Sequence, residues 1–410
     1  MVHGRRFGVV KYETIAVIAV GLLILFRSGS PFSLAYESLS GYIEIGLSIT
    51  LIGIYCTRKR KFKNQKALFL TILFSSSLFI SMVFNGEINA WRSYLINILL
   101  CVNGYLILRI LGIDKTKYYW IKWMRVIVPA ALILHVLIAT GFSALPTVAT
   151  KKEYYYTIYI SSELITGRLS GFCWEPSMYA VFLAFSLLFE LEEKLPHKKL
   201  YGVLYIISLV LTQSVSAYLY LLLVLFIVYN SRIKNYRRRM VLCVILAVIC
   251  ISTFCNIEMV LDYLYAKFPE VFFKIVNRDR SFLTRMYNPI CDTLVFIENP
   301  LFGVGAGEVE IAVRSKVSLF SEGFINSRTS TCTYYFAAYG LLAGVSMNYL
   351  WIVGCLKNRF MDLISKLALL MLCAYAFTSI TLVSNQAFWI MLFYFFFLAT
   401  NKEPHRGELQ

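Results

Sequence analysis

The chain has 410 residues, 59% of them hydrophobic and 15% charged, and a formal net charge of +17 from 40 Lys and Arg against 23 Asp and Glu. Soluble domains are nearer half apolar and a quarter charged. Here the apolar excess falls in repeated runs of about 15–20 residues, the length that bilayer hydrocarbon demands. A string of two or three soluble domains is thereby excluded. The expectation is an all-α polytopic membrane protein, a single transmembrane domain over 1–410 with about twelve helices.

In chain order, a basic start (Arg5, Arg6, Lys11) precedes a first span at Thr14–Phe26, which reads as a membrane helix and not as a cleavable leader. Spans are expected next at Leu39–Cys56, Ala67–Phe84, Ser93–Leu111, Trp123–Thr140 and Glu175–Leu191. Six more are expected at Leu200–Leu211, Ala217–Tyr229, Met240–Asn256, Thr331–Gly354, Leu367–Val383 and Ala387–Thr400. Each should be helical, because backbone groups in lipid find partners only within their own segment. Basic clusters alternate with basic-poor loops, and 27 of the 40 Lys and Arg lie on the side of the two termini. Positive loops mark the cytoplasm, so both termini are expected there. That placement accounts for most of the net charge and leaves nucleic acid out. The ten cysteines lie mostly in apolar runs, Cys101, Cys243, Cys250 and Cys373 among them, without metal-ligand spacing, as expected of packing residues.

Two outer loops are long, about 142–174 and 257–330, and hold most of the remaining basic residues. Loops of that length are usually functional. Between them, Leu200–Tyr229 is a near-continuous apolar run with basic clusters at both ends. Parity requires a hairpin of two short arms, broken at Thr212-Gln213-Ser214. Arms this short set the turn below the outer surface, where exposed backbone must line a watery cavity or pack in protein. An outward-facing cavity is the expectation.

Three motifs could carry chemistry. The stretch Gly167-Arg-Leu-Ser-Gly-Phe-Cys-Trp-Glu-Pro-Ser-Met-Tyr-Ala180 closes the first long loop and opens a helix, with Pro176 suited to the first helical position and Glu175 to the N-terminal dipole. It reads either as a helix cap or as a carboxylate and an arginine, Arg168, turned to substrate. The second loop carries Arg278, Arg280 and Arg285, then a short amphipathic helix from Asn288-Pro289 to Glu298 with Ile290, Leu294 and Ile297 as its apolar face. Asn299-Pro-Leu-Phe-Gly-Val-Gly-Ala-Gly307 follows. It lacks the strand and helix context of a dinucleotide site and reads as a tight turn presenting backbone N–H groups to a ligand or to the bundle. Within the spans, Glu44 should face a cavity or a partner, and His135 reads as an interhelical hydrogen bond or a proton relay. No acidic pair occurs in Arg27–Glu37, so no metal and no cofactor is expected.

These residues resemble the O-antigen polymerase and ligase family. RLSGFCWEPSMYA (168–180) is similar to a stretch of the polymerases. Arg285 followed by PLFGVGAG (300–307) resembles a pattern shared by both, and TYYFAAYGLLAG (333–344) resembles their next span. Thr212-Gln-Ser214 resembles the break in their short hairpin, although Val215 stands where an Arg is frequent. The resemblance implies a helical bundle of the GT-C-like glycosyltransferase kind at the bacterial plasma membrane. Its substrates would be undecaprenyl-diphosphate-linked oligosaccharides, its surroundings the lipid bilayer, and a chain-length regulator is a candidate partner. It implies diphosphate binding by Arg168 and Arg285, with Arg278, Arg280 and Arg328 beside them, activation of the acceptor hydroxyl by Glu175, and substrate contacts at Gln213, Ser214 and Tyr287. The ligases carry a His-Asn pair where this chain has Thr329-Ser330, which favours a polymerase over a ligase. A lipid-linked oligosaccharide flippase is the alternative of another class. It would call for internal repeats and charges deep in the spans, whereas the sequence shows no internal repeat and the charges on its outer side concentrate in the two long loops.

Overall fold

The computed structural model describes residues 2–57, 64–141, 147–149, 155–157, 161–163, 167–233, 265–267, 280–317 and 330–401. The helices are α1 (Val2–Arg27), α2 (Pro31–Ala35), α3 (Glu37–Thr57), α4 (Gln65–Phe84), α5 (Trp91–Leu111) and α6 (Ile113–Ala139). After the first long loop come α7 (Pro176–Glu192), α8 (Lys198–Leu211) and α9 (Val215–Arg232), and then α10 (Arg280–Glu298), α11 (Val309–Val317), α12 (Tyr334–Leu356), α13 (Leu363–Ser379) and α14 (Gln386–Thr400). Six stretches, led by α3, α4 and α5, are long and apolar enough to cross a membrane, while α13 and α14 are shorter apolar helices. The expected span Met240–Asn256 lies outside the described residues. The first long loop adds two short antiparallel pairings to the helical plan, Thr147–Ala149 (β1) with Tyr155–Thr157 (β2) and Ser161–Glu163 (β3) with Arg168–Gly171 (β4). Its run of Tyr, Thr and Ile, residues that suit a pleated strand, accounts for the departure.

Two helices form the centre. Nearly every residue of α14 is buried, as is nearly every residue of α7, so both are apolar all round, as central helices must be. Close approach uses glycine: a Cβ at Gly104 of α5 would stand 2.9 Å from the Trp389 carbonyl of α14. Small residues let helix backbones meet in this way where lipid supplies no hydrophobic drive between helices. Trp389 in turn packs edge-on to Phe74 at 4.8 Å. Buried polar groups pair across helices: Asn103 reaches Ser48 at 2.9 Å and Gln386 at 3.3 Å, and Glu44 meets Arg27 at 2.6 Å. The carboxylate inside α3 therefore has a buried partner. His135 is half-buried on α6.

The α8–α9 hairpin breaks at Thr212–Ser214 as expected, but only one arm is short: α9, at 18 residues, is long and apolar enough to cross a membrane. At 1.5 Å per residue α8 is only about 21 Å long, well short of the roughly 30 Å of hydrocarbon. The turn holds Gln213 at φ 46° between the buried Thr212 and Ser214. Gln213 itself is exposed at the tip of the turn. A cavity of about 500 Å³ at this end of the bundle lies among Arg27, Asn97, Trp174, Met178, Tyr334 and Asn385.

One expectation for the second loop is corrected. Its helix begins at Arg280 and not at Asn288, and Pro289 sits inside it. Of the expected apolar face, Ile290 and Ile297 point away from the bundle and Leu294 is half-buried. The two isoleucines are exposed, and Asn288, Cys291, Asp292 and Val295 face inward. The glycine-rich turn docks on the bundle: Val304 and Gly305 donate to the carbonyls of Ala337 and Ala338 at 3.0 and 2.9 Å. Those carbonyls are open because α12 breaks at Gly340, φ 81° and ψ −170°. Beyond the turn, the Gly307 and Glu308 N–H groups donate to the Glu87 carboxylate, which Tyr94 also binds at 2.6 Å.

Candidate functional site

Glu175 is the N-cap residue of α7, with Pro176 at the first helical position. Its backbone carbonyl opens the helix, accepting from Tyr179 at 3.2 Å. Its side chain makes no capping bond to the helix N–H groups. The carboxylate accepts from the Ser177 hydroxyl and from the Arg285 guanidinium at 3.1 Å. Both side chains of the ion pair are a little over a quarter exposed, 27% and 28%, so the pair is open enough for a ligand to reach it. A carboxylate serving only as a cap would turn back on its own N–H groups.

Arg285 comes from α10 and contacts residues of two other helices. Besides Glu175 it approaches the Ser216 hydroxyl of α9 at 3.5 Å. Asn288 and Asp292, one and two turns on, share its face of the helix and are buried. Pro289 withdraws the intrahelical donor that the Arg285 carbonyl would otherwise receive. Asp292 accepts from Thr333 at 2.7 Å, and Thr333 shares a 2.6 Å hydrogen bond with Ser330. A hydroxyl–carboxylate chain thus occupies the region where the ligase pattern would place its His-Asn pair.

Arg168 opens β4 and sends its Nε to the Thr212 carbonyl at 3.0 Å. Thr212 is the C-cap of α8, where a cation complements the helix dipole. One arginine from each long loop therefore meets the same re-entrant turn, Arg168 at Thr212 and Arg285 at Ser216. Of the other expected contacts, Ser214 is buried in that turn against Ser216 at 3.2 Å, and Gln213 is exposed at its tip. Tyr287 is half-buried on α10, and a spacing of two residues turns it away from the Arg285 face. Arg280 begins α10, but its side chain, like all of Arg278 and Arg328, lies outside the described residues. Sequence reasoning missed Ser177, Ser216 and Asp292. The i, i+3, i+7 spacing of Arg285, Asn288 and Asp292 was the available signal for the last.

Two cysteines lie beside the site. Burial, reinforced by the Glu175 charge, pushes the Cys173 thiol well above its ordinary range, and burial with Asp292 alongside pushes Cys291 up to about 11. Both stay as thiols at neutral pH, so neither is poised as a nucleophile. Among the described residues no group of three His, Cys, Asp or Glu could hold a metal ion.

The described residues thus form a helical membrane protein with a carboxylate–guanidinium pair beside the α8–α9 turn. The family model for O-antigen ligase matches residues 200–348, from the hairpin through the break in α12, and places that part of the chain in the O-antigen polymerase/ligase superfamily. No curated protein matches it.

Proposed function

We propose that the protein is a polysaccharide polymerase of the Wzy type, in the bacterial plasma membrane with both termini cytoplasmic and the long loops outside. It moves a growing glycan from undecaprenyl diphosphate to the terminal sugar of a lipid-linked repeat unit. The observation that carries this reading is the convergence of Arg285, Glu175 and Arg168 on the α8–α9 turn. In the reaction, the acceptor hydroxyl oxygen attacks the anomeric carbon. The bond from that carbon to the diphosphate oxygen breaks, and undecaprenyl diphosphate leaves. The hydroxyl proton passes to Glu175. A diphosphate is already a good leaving group, so positive charge placed beside it supplies the main stabilisation. Arg suits the task because its planar fork binds phosphate oxygens in pairs and stays charged. An arriving diphosphate competes for Arg285 and frees Glu175 for the acceptor, so donor binding arms the base.

The test is Arg168→Ala and Arg285→Ala in cells that make the lipid-linked repeat. Expected is loss of long polymer, with single repeat units still capped onto the surface anchor and normal protein in the membrane. Single units missing from the surface would indicate a transporter. Long polymer retained on the carrier but absent from the anchor would indicate a ligase. Unchanged polymer in both variants would remove these residues from the site.

A further inference from the structure

Helix α10 is built inside out for a helix bathed in water. Its bundle-facing side carries Arg285, Asn288 and Asp292. Its opposite side carries Met286, Ile290 and Ile297, which fall within an arc of about 40° at 3.6 residues per turn. Those three residues and Leu301 just beyond the helix are 46% to 65% exposed, whereas Asn288 and Asp292 are 2% exposed. A helix on a soluble surface shows the reverse arrangement. The apolar stripe does not end with the helix. The Leu341 N–H donates to the Pro300 carbonyl at 2.8 Å, which sets Leu301 against the exposed face of α12 formed by Leu341, Leu342, Val345 and Tyr349. That face belongs to a helix long and apolar enough to span the bilayer, so the stripe on α10 continues a surface that faces lipid.

We propose that α10 is an interfacial helix whose Met286–Ile290–Ile297 face is seated in the acyl boundary of the bilayer leaflet at the loop-bearing end. The polar side of the same helix then holds the Arg285 guanidinium at headgroup depth, where a phosphate carried on a lipid lies. Interfacial helices of this type divide apolar and charged faces in the same way. The inference does not depend on the reaction proposed above, since it concerns where the helix sits and not what the site turns over.

The experiment reads depth directly. Cysteine is introduced singly at Ile290, Ile297 and, as an aqueous control, Glu298, in a background whose native cysteines are replaced. Each is spin-labelled in the full-length protein in phosphatidylcholine–phosphatidylglycerol vesicles. Positions 290 and 297 should be open to dissolved oxygen and shielded from a water-soluble nickel complex, with 298 the opposite. Equal access of the nickel complex to all three sites would overturn the proposal. Shielding of 290 and 297 from both reagents would overturn it as well, because the face would then be covered by protein, a second copy included. Should the cysteine-replaced background not fold, a photoreactive benzoylphenylalanine at 290 or 297 in the native background should crosslink to phospholipid. Crosslinks to protein alone would reject the idea.

Discussion

An N-cap carboxylate ordinarily bonds the N–H of the second or third residue of its own helix, and Glu175 instead spends its oxygens on Ser177 and Arg285. Two roles remain for it, base for the acceptor hydroxyl or holder of Arg285, and they differ in their energetics. Losing one charge-assisted contact costs about 1.5–3 kcal/mol, roughly tenfold to a hundredfold in rate. Arg285→Lys keeps the charge and loses the fork. It should cut polymerisation in isolated membranes by about tenfold, and Arg285→Ala by about a hundredfold. Glu175→Gln should fall in the same range at normal protein levels. If Glu175 only positions Arg285, the double variant should be no worse than Arg285→Ala alone. An additive loss supports a separate role as base.

The broken helix α12 and the glycine turn that fills it form a unit. At φ 81° and ψ −170° Gly340 occupies backbone space open essentially to glycine alone, and a Cβ there would stand 2.1 Å from the Leu301 carbonyl oxygen. Gly340→Ala should therefore cost at least about 1–3 kcal/mol, seen as a lower melting temperature of the detergent-solubilised protein. Glu87→Ala removes the acceptor of the Gly307 and Glu308 N–H groups and should loosen α11, raising amide exchange over 305–317 without moving α5. The apolar runs placed the helices well: every expected span within the described residues coincides with one. The Glu175 cap and the break between α8 and α9 were likewise legible, because capping and turn chemistry are local, whereas α9 is longer than the short arm expected. The break at Gly340 was not, since YYFAAYGLLAG is apolar throughout and the donors that permit the break sit about 35 residues earlier. Nor could periodicity tell which side of α10 meets the bundle. It identifies the apolar face, and only the packed structure shows what that face touches. The Glu175–Arg285 pair spans 110 residues of sequence, beyond any local rule.

At the scale of the whole molecule, the cavity and both described arginine contacts lie at one end of the bundle, the end that bears the long loops. In the orientation proposed, an impermeant thiol reagent added from outside should label cysteines placed in 151–165 and 270–325 and spare those in 58–66 and 232–239. Labelling at 232–239 would reverse the orientation. In the mechanism proposed, where arginines carry the charge stabilisation, polymerisation in purified membranes should survive EDTA. Loss of activity restored by Mg²⁺ or Mn²⁺ would reject that mechanism. The seam between α12 and residues 300–305 also bears on how the chain is made. The turn is synthesised before the helix whose open carbonyls it satisfies, so its donors are in place when that helix is threaded into lipid. Thr331 is in the opposite position: its partners Phe377, Ile380 and Leu382 come later. Assembly at this end therefore has a set order, with the break at Gly340 sealed as α12 inserts and the segment at Thr331 left open until α13 arrives.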